Sequence, residues 1–221
     1  MSDEKPKGDR ILLWAILTII MAVIGVFSIQ YLLPTQPTTI DEIIDSTLKG
    51  KESENNFLYN NFAFVYANGM WYTRWQKNGN LFTIPLRYNP RQVEDVTITG
   101  ELDERFVAEN LYITFDPRGE NFTYLALAAA ELSVNLATAL DAIPTAACAY
   151  NETEACYQRP IVSCQDQDKA VIFLRESEET KVIFGGNCMI IQGKEMNLLK
   201  SVDRVLYIWY GIMPRNLGAL Q

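Results

Sequence analysis

The sequence predicts an α+β fold: an N-terminal transmembrane helix, then a mixed or antiparallel sheet packed with two main helices and stapled by disulfides. Three observations lead there. Residues 11–33 form an uncharged apolar run, the pairs Asn68-Gly69 and Asn78-Gly79 punctuate aromatic-rich segments, and two stretches with helical apolar spacing alternate with groups of strand-like runs. Strands, helix, strands, helix is the order of an α+β domain rather than a doubly wound one.

A chain of 221 residues has room for one core besides an anchor. We divide it into a cytoplasmic tail (1–10), a transmembrane helix (11–33), a linker with a short juxtamembrane helix (34–56), an extracytoplasmic domain (57–214) and a C-terminal tail (215–221).

The run from Ile11 to Leu33 exceeds the roughly 20 residues that a helix needs to cross the hydrocarbon core, with Trp14 and Tyr31 placed for the two interfaces. A cleaved signal peptide has a shorter apolar region, about 7–15 residues, followed by small residues that are missing here. Lys5, Lys7 and Arg10 precede the run and no basic residue follows it until Lys49, which keeps the N-terminus in the cytoplasm. Lys7-Gly8 resembles the processing site ahead of the hydrophobic helix of type IV pilins, although Asp9-Arg10 directly after the glycine departs from that pattern.

Beyond the linker PTQPTT, Thr39 and Glu42 form a capping box for a helix whose Ile40, Ile43, Ile44 and Leu48 share a face and which Gly50 ends. Lys51 to Asn56 reads as loop. The two Asn-Gly pairs then predict a three-stranded meander over Phe62–Ala67, Met70–Gln76 and Leu81–Tyr88. In its third strand Phe82, Ile84 and Leu86 alternate with Thr83, Pro85 and Arg87, and Pro85 suggests a sheet edge or a bulge. Further strands are expected at Val96–Thr99 and Leu111–Phe115, on either side of the charged stretch GELDERF, read as a solvated turn.

A helix over Phe122–Leu140 carries Leu125, Ala128, Leu132, Leu136 and Ala139 on one stripe, its many alanines suited to close packing. Glu131 within it is either its solvent face or a functional carboxylate. Strands at Ala170–Leu174, Lys181–Phe184 and Cys188–Ile191 follow, Gly185-Gly186 making a hairpin turn. The closing helix runs from Met196 to Met213, where Leu198, Leu199, Val202, Val205, Leu206, Trp209 and Ile212 fall at helical spacing and Pro214 stops it.

All four cysteines, Cys148, Cys156, Cys164 and Cys188, follow the anchor, and an even number outside the cytoplasm reads as disulfides. Of the three pairings, Cys148 with Cys156 and Cys164 with Cys188 is expected, the first stapling a polar loop with too little apolar periodicity to hold itself. Gaps of seven, seven and twenty-three residues do not suit a zinc knuckle. Asn121 and Asn151 head N-x-T triplets, candidate glycosylation sites that fit an outside location.

The absence of histidine removes Ser-His-Asp and Cys-His chemistry, and the formal net charge of −8 with no basic stripe argues against nucleic acid as a partner. Calcium-loop, P-loop and dinucleotide patterns are missing, so no metal, cofactor or catalytic residue is assigned. Trp71, Tyr72 and Trp75 offer a candidate ligand platform, against the alternative that strand aromatics fill the core. A hydrolase would have to draw on Asp95, Asp103, Glu104 and Asp116, or pair Ser163, Ser177 or Ser201 with a lysine.

The stretch LYITFDPRGENFTYLALAAAELSVNLA, the segment from Ala147 to Cys164 with its RPIVSC, and KSVDRVLYIWYGIM together resemble an uncharacterised family of single-span membrane proteins found in genomes of small-celled archaea. The resemblance implies an archaeal envelope setting and carries no activity with it. The expectation is therefore a membrane-anchored extracytoplasmic binding or structural protein of the cell envelope. Its partners would be the bilayer through residues 11–33 and other envelope proteins or surface polymers. The alternatives are a membrane-tethered hydrolase and a pilin-like filament subunit.

Overall fold

Residues 14–25, 39–107, 111–119 and 122–215 are described by the computed structural model, the side chains of Arg105, Val107, Ala139 and Leu140 excepted. Two units result, divided after Thr38. In the first, residues 14–25 form helix α1, on which Trp14, Ile16, Leu17, Ile19, Ile20, Met21, Val23 and Ile24 are all exposed. No helix among the described residues is long and apolar enough to cross a membrane. The expected anchor is thus described only over 14–25. Its remaining residues, the basic residues Lys5, Lys7 and Arg10, the Lys7-Gly8 pair, most of the PTQPTT linker, Asn121 and the end of the chain beyond Arg215 lie outside the described residues.

The second unit opens with α2 (Ile40–Leu48), capped as expected: the Thr39 hydroxyl accepts from the Glu42 amide, and the Glu42 carboxylate accepts from the Thr39 amide. The meander has four strands instead of three, in the order β1-β2-β3-β4: β1 (Asn56–Tyr59), β2 (Phe62–Ala67), β3 (Met70–Lys77) and β4 (Asn80–Leu86). Both Asn-Gly pairs hold positive φ at both residues, which two-residue hairpins of matching twist require. Asn60-Asn61 does the same, with φ of 46° and 66°, and joins β1 to β2. The loop expected up to Asn56 therefore ends where β1 begins, because asparagine tolerates the left-handed region almost as a hairpin glycine does. Pro85 sits on β4, the sheet edge, as its missing donor demands.

A second, mixed sheet has the order β5-β9-β10-β8-β6-β7. Its members are β5 (Thr97–Leu102), β6 (Leu111–Phe115), β7 (Thr145–Ala146), β8 (Ala170–Glu176), β9 (Lys181–Gly186) and β10 (Cys188–Gly193). Only the β9–β10 hairpin is antiparallel. The charged stretch GELDERF is corrected accordingly: its first three residues complete β5, paired in parallel with β9. Helix α3 (Phe122–Leu140) has the expected limits, and α4 (Met196–Trp209) ends four residues early, where Gly211 takes a φ of +68°. The side chain of Ala139, expected on the stripe of α3, lies outside the described ones.

Alternation along the strands sorts the side chains into layers. Phe57, Phe64, Trp71, Ile84 and Leu86 of the first sheet share one core with Ile113, Ile172, Leu174, Val182, Met189 and Ile191 of the second, and α3 and α4 contribute Leu132, Leu136, Val202 and Leu206 to it. Helix α4 thus lies between the two sheets, with α3 packed against it and β8. On the far face of the first sheet, Ile44 of α2 covers Ala63 and Val65, and Arg74 of β3 binds Asp41 and Asp45 of α2 at 3.1 and 2.7 Å. On the far face of the second, Val171 and Cys188 pack beneath Ala147 and Val162 of the cysteine-bearing segment. Each fully buried Leu, Ile or Phe in such a core contributes about 1.5–3 kcal/mol.

Candidate functional site

Both disulfides join the expected partners, Cys148 with Cys156 and Cys164 with Cys188, at Cα separations of 5.9 and 5.2 Å. The segment leaving β7 is fixed twice: the Ala147 and Ala149 amides donate to Ile113 and Phe115 of β6, and Cys148 exchanges hydrogen bonds with Pro160 and Val162 on its outer side. The Cys148–Cys156 bond then ties this segment to the short turn Glu154–Cys156, after which Arg159 donates its amide to the Cys156 carbonyl. A polar stretch with little apolar periodicity is so held against the sheet edge by two bridges and a few backbone bonds.

Beneath it lies a cavity of about 350 Å³. Helix α3 supplies Phe122, Leu125, Ala126, Ala129 and Ser133, the sheet edge supplies Ile113, Phe115, Pro144 and Ala146, and the disulfide loop supplies Ala155 and Arg159. Phe115 and Phe122 meet edge to face with centroids 5.9 Å apart. The room exists because α3 presents alanine at 126 and 129, where the stripe of Leu125, Ala128, Leu132 and Leu136 turns instead into the core. Its volume falls in the range of small-molecule sites, and its walls are mostly apolar with few polar groups, as such sites usually are. The Ser133 hydroxyl donates to the Ala129 carbonyl, which leaves its oxygen lone pairs free to accept. Arg159 is exposed, and among the described residues no carboxylate lies within ion-pair distance of it.

The residues singled out from the sequence do not converge there. Trp71 is buried against Phe57, and Trp75 packs on Tyr210 while donating its indole N–H to the Tyr210 carbonyl. Tyr72 falls on the opposite face of β3 from both, so the three rings form no common platform. Asn151 is exposed in the disulfide loop. Asp95 pairs with Lys200 at 2.7 Å, and Asp116 pairs with Arg118, whose hydrogen bond holds the carboxyl below its usual range. Ser163 bonds Asp166, Ser177 bonds Glu179 and Gln192, and buried Ser201 donates to Gln192; none of these bonds is to a lysine. Among the described residues no cluster of three His, Cys, Asp or Glu side chains is placed to hold a metal.

One carboxylate pair does form, from residues that the sequence does not connect. Glu131 is on the inner side of α3, not its solvent face, and its Oε2 accepts from Arg87 Nε at 2.8 Å. Asp203 of α4 is fully buried, and its Oδ2 accepts from the Arg87 and Tyr88 amides at 3.0 and 2.8 Å. The remaining oxygens, Glu131 Oε1 and Asp203 Oδ1, are buried without a hydrogen-bond partner. Burial foremost, and then the negative charge of nearby Glu131, push the Asp203 carboxyl well above the carboxylate range. Asp203 lies in the core, and Glu131 reaches from it to the partly exposed Arg87. The pair joins α3, α4 and the end of β4, and explains why β4 stops at Leu86: the next two amides turn to Asp203.

No protein-family model, no curated protein and no solved structure matches this chain, so the cavity and the acid pair are interpreted from their own residues.

Proposed function

We propose that the protein is a membrane-tethered, extracytoplasmic binding module of the cell envelope, and that its domain receives the apolar part of a ligand in the cavity between α3 and the β6–β7 edge. The observation that carries this reading is the composition of the cavity wall. Its side chains are apolar but for Ser133 and Arg159, with no acid–base pair and no activated nucleophile, so they offer a place to bind and nothing to react with. Tethering is supported by the uncharged run at 11–33 and by the exposed apolar side chains of α1, and the outer location by the two disulfides. The hydrolase alternative finds no support in the isolated positions of Asp95 and Asp116 or in the burial of the Glu131–Asp203 pair.

The test uses the full chain in lipid nanodiscs and a dodecanol bearing a photoactivatable diazirine, with labelled peptides mapped by mass spectrometry. Labelling should concentrate in residues 122–133 and 144–159 and fall at least tenfold when Ala129→Phe fills the cavity. Labelling spread over the domain, or unchanged by that substitution, would refute the reading.

A further inference from the structure

We infer that the ligand of this cavity is an anionic amphiphile, one apolar chain ending in a carboxylate or phosphate, and that Arg159 holds its head group. The inference rests on the reading that the cavity binds an apolar chain, and adds the chemistry of the other end.

In an acidic protein, an arginine at the rim of an apolar cavity would ordinarily be matched by a carboxylate. Arg118 shows the ordinary case: it pairs with Asp116 at 2.7 Å, lies 4.0 Å from Glu152, and stacks over Tyr150. Arg159 has no such partner among the described residues, and Glu154 on the same loop makes no ion pair with it. Its guanidinium therefore keeps five donors in a planar fork that fits two oxygens of a carboxylate or phosphate. The Cys148–Cys156 bond and the Arg159 amide bond to Cys156 hold that fork at the rim without using its side-chain donors.

The apolar end is set by size. A cavity of about 350 Å³ accepts a chain on the order of ten methylene groups, if each occupies roughly the ~30 Å³ of a water molecule. A neutral chain would fill it and leave the guanidinium to water; a cationic one would be repelled. An anionic head would satisfy both ends of the site at once. Because Arg159 is exposed, its contribution is screened and modest, about tenfold in affinity rather than thousands.

The test repeats the photolabelling of the full chain in nanodiscs with four probes that share one dodecyl diazirine chain and end in carboxylate, phosphate, alcohol or trimethylammonium. The two anionic probes should reach half-maximal labelling of residues 122–133 and 144–159 at about one tenth of the alcohol's concentration, and the cation at a higher one. Arg159→Gln should abolish that advantage and leave the alcohol's labelling unchanged, while Arg159→Lys should retain part of it. Competition by free decanoate and by lysophosphatidic acid separates a fatty-acid source from a phospholipid one. Equal labelling by anions and alcohol, or an anion preference that survives Arg159→Gln, overturns the inference while the binding reading stands. If no probe labels the cavity, the binding reading itself falls.

Discussion

Asp203 is the residue whose state most affects its surroundings. Its carboxyl accepts two backbone amides through one oxygen and lies near the charge of Glu131, whose Oε2 is paired with Arg87. A raised pKa means that the folded protein keeps a proton that the unfolded chain releases near pH 4. The stability this confers is fully present below the unfolded value and is lost as pH rises through the folded one. Asp203→Asn removes the titrating group and keeps a carbonyl to accept the two amides. Urea midpoints measured from pH 4.5 to 8 should fall for the wild type relative to Asp203→Asn. Asp116 and Asp166, held low by hydrogen bonds from Arg118 and from Ser163 respectively, act with the opposite sign but equally in both proteins. Parallel midpoint curves would show that the pKa of the Asp203 carboxyl is not raised. Asp203→Ala leaves the Arg87 and Tyr88 amides without that acceptor and should cost about 2–4 kcal/mol at about pH 4.5, and less as pH rises.

Among the elements, the joint between β10 and α4 leaves no room for a side chain. A Cβ added at Gly193 would stand 2.5 Å from the Asn197 carbonyl carbon and 2.6 Å from the Leu198 amide nitrogen, all backbone atoms that cannot swing aside. Glu195 adopts a φ of 51° in the same connection, a second sign that the chain is bent hard to bring α4 back across the sheet. Gly193→Ala should therefore cost about 3 kcal/mol. By contrast, Gly69 lies in open space and needs only its φ of +80°, so Gly69→Ala should cost about 1 kcal/mol. Denaturant midpoints will rank the two; equal losses would mean that the joint relaxes around a methyl group. The same view of elements explains what was legible before the structure. Asn68-Gly69, Asn78-Gly79, the Thr39–Glu42 capping box and both limits of α3 follow from rules acting within a few residues. Strand β1 was not legible, because Asn60-Asn61 carries the hairpin signal without a glycine.

For the whole molecule, the two disulfides anchor the face of the second sheet that no helix covers. In the loop-closure account, losing Cys164–Cys188, which spans 24 residues, costs about 3.5 kcal/mol, and losing Cys148–Cys156, which spans 8, about 2.5 kcal/mol. The two are not equivalent for binding. Cys148–Cys156 carries the cavity wall through Ala155 and Arg159, whereas Cys164–Cys188 fastens the loop to β10 and contributes no residue to that wall. Replacing both cysteines of the first bridge by alanine should thus weaken probe labelling of the cavity severalfold at a temperature where the protein stays folded. Replacing both of the second should lower thermal stability and leave labelling in place. The reverse pattern would show that the wall is positioned by the sheet and not by the loop.

By itself the sequence determined what short-range physics controls: the two Asn-Gly hairpin turns, the capping box and the helical stripes. The pairing of the four cysteines, one of three open to the sequence, took the structure to fix. Tertiary structure alone decided which faces are covered twice. Helix α4 has the spacing of a half-buried helix, with Ser201, Asp203 and Arg204 in the polar positions, yet all three are buried because a sheet lies on each side of it. Periodicity reports the apolar face of a helix; it carries no information about a second layer that covers the other face. The candidate site divides in the same way. Its walls lie on a helix and a strand whose limits could be read from the chain, but the alanines of α3 suggested close packing where they leave a cavity. Arg159 belongs to a loop whose place is fixed by a disulfide and by strand pairings between residues distant in sequence. Glu131 and Asp203, 72 positions apart, become a pair only when α3 and α4 pack together, and no local pattern could have joined them.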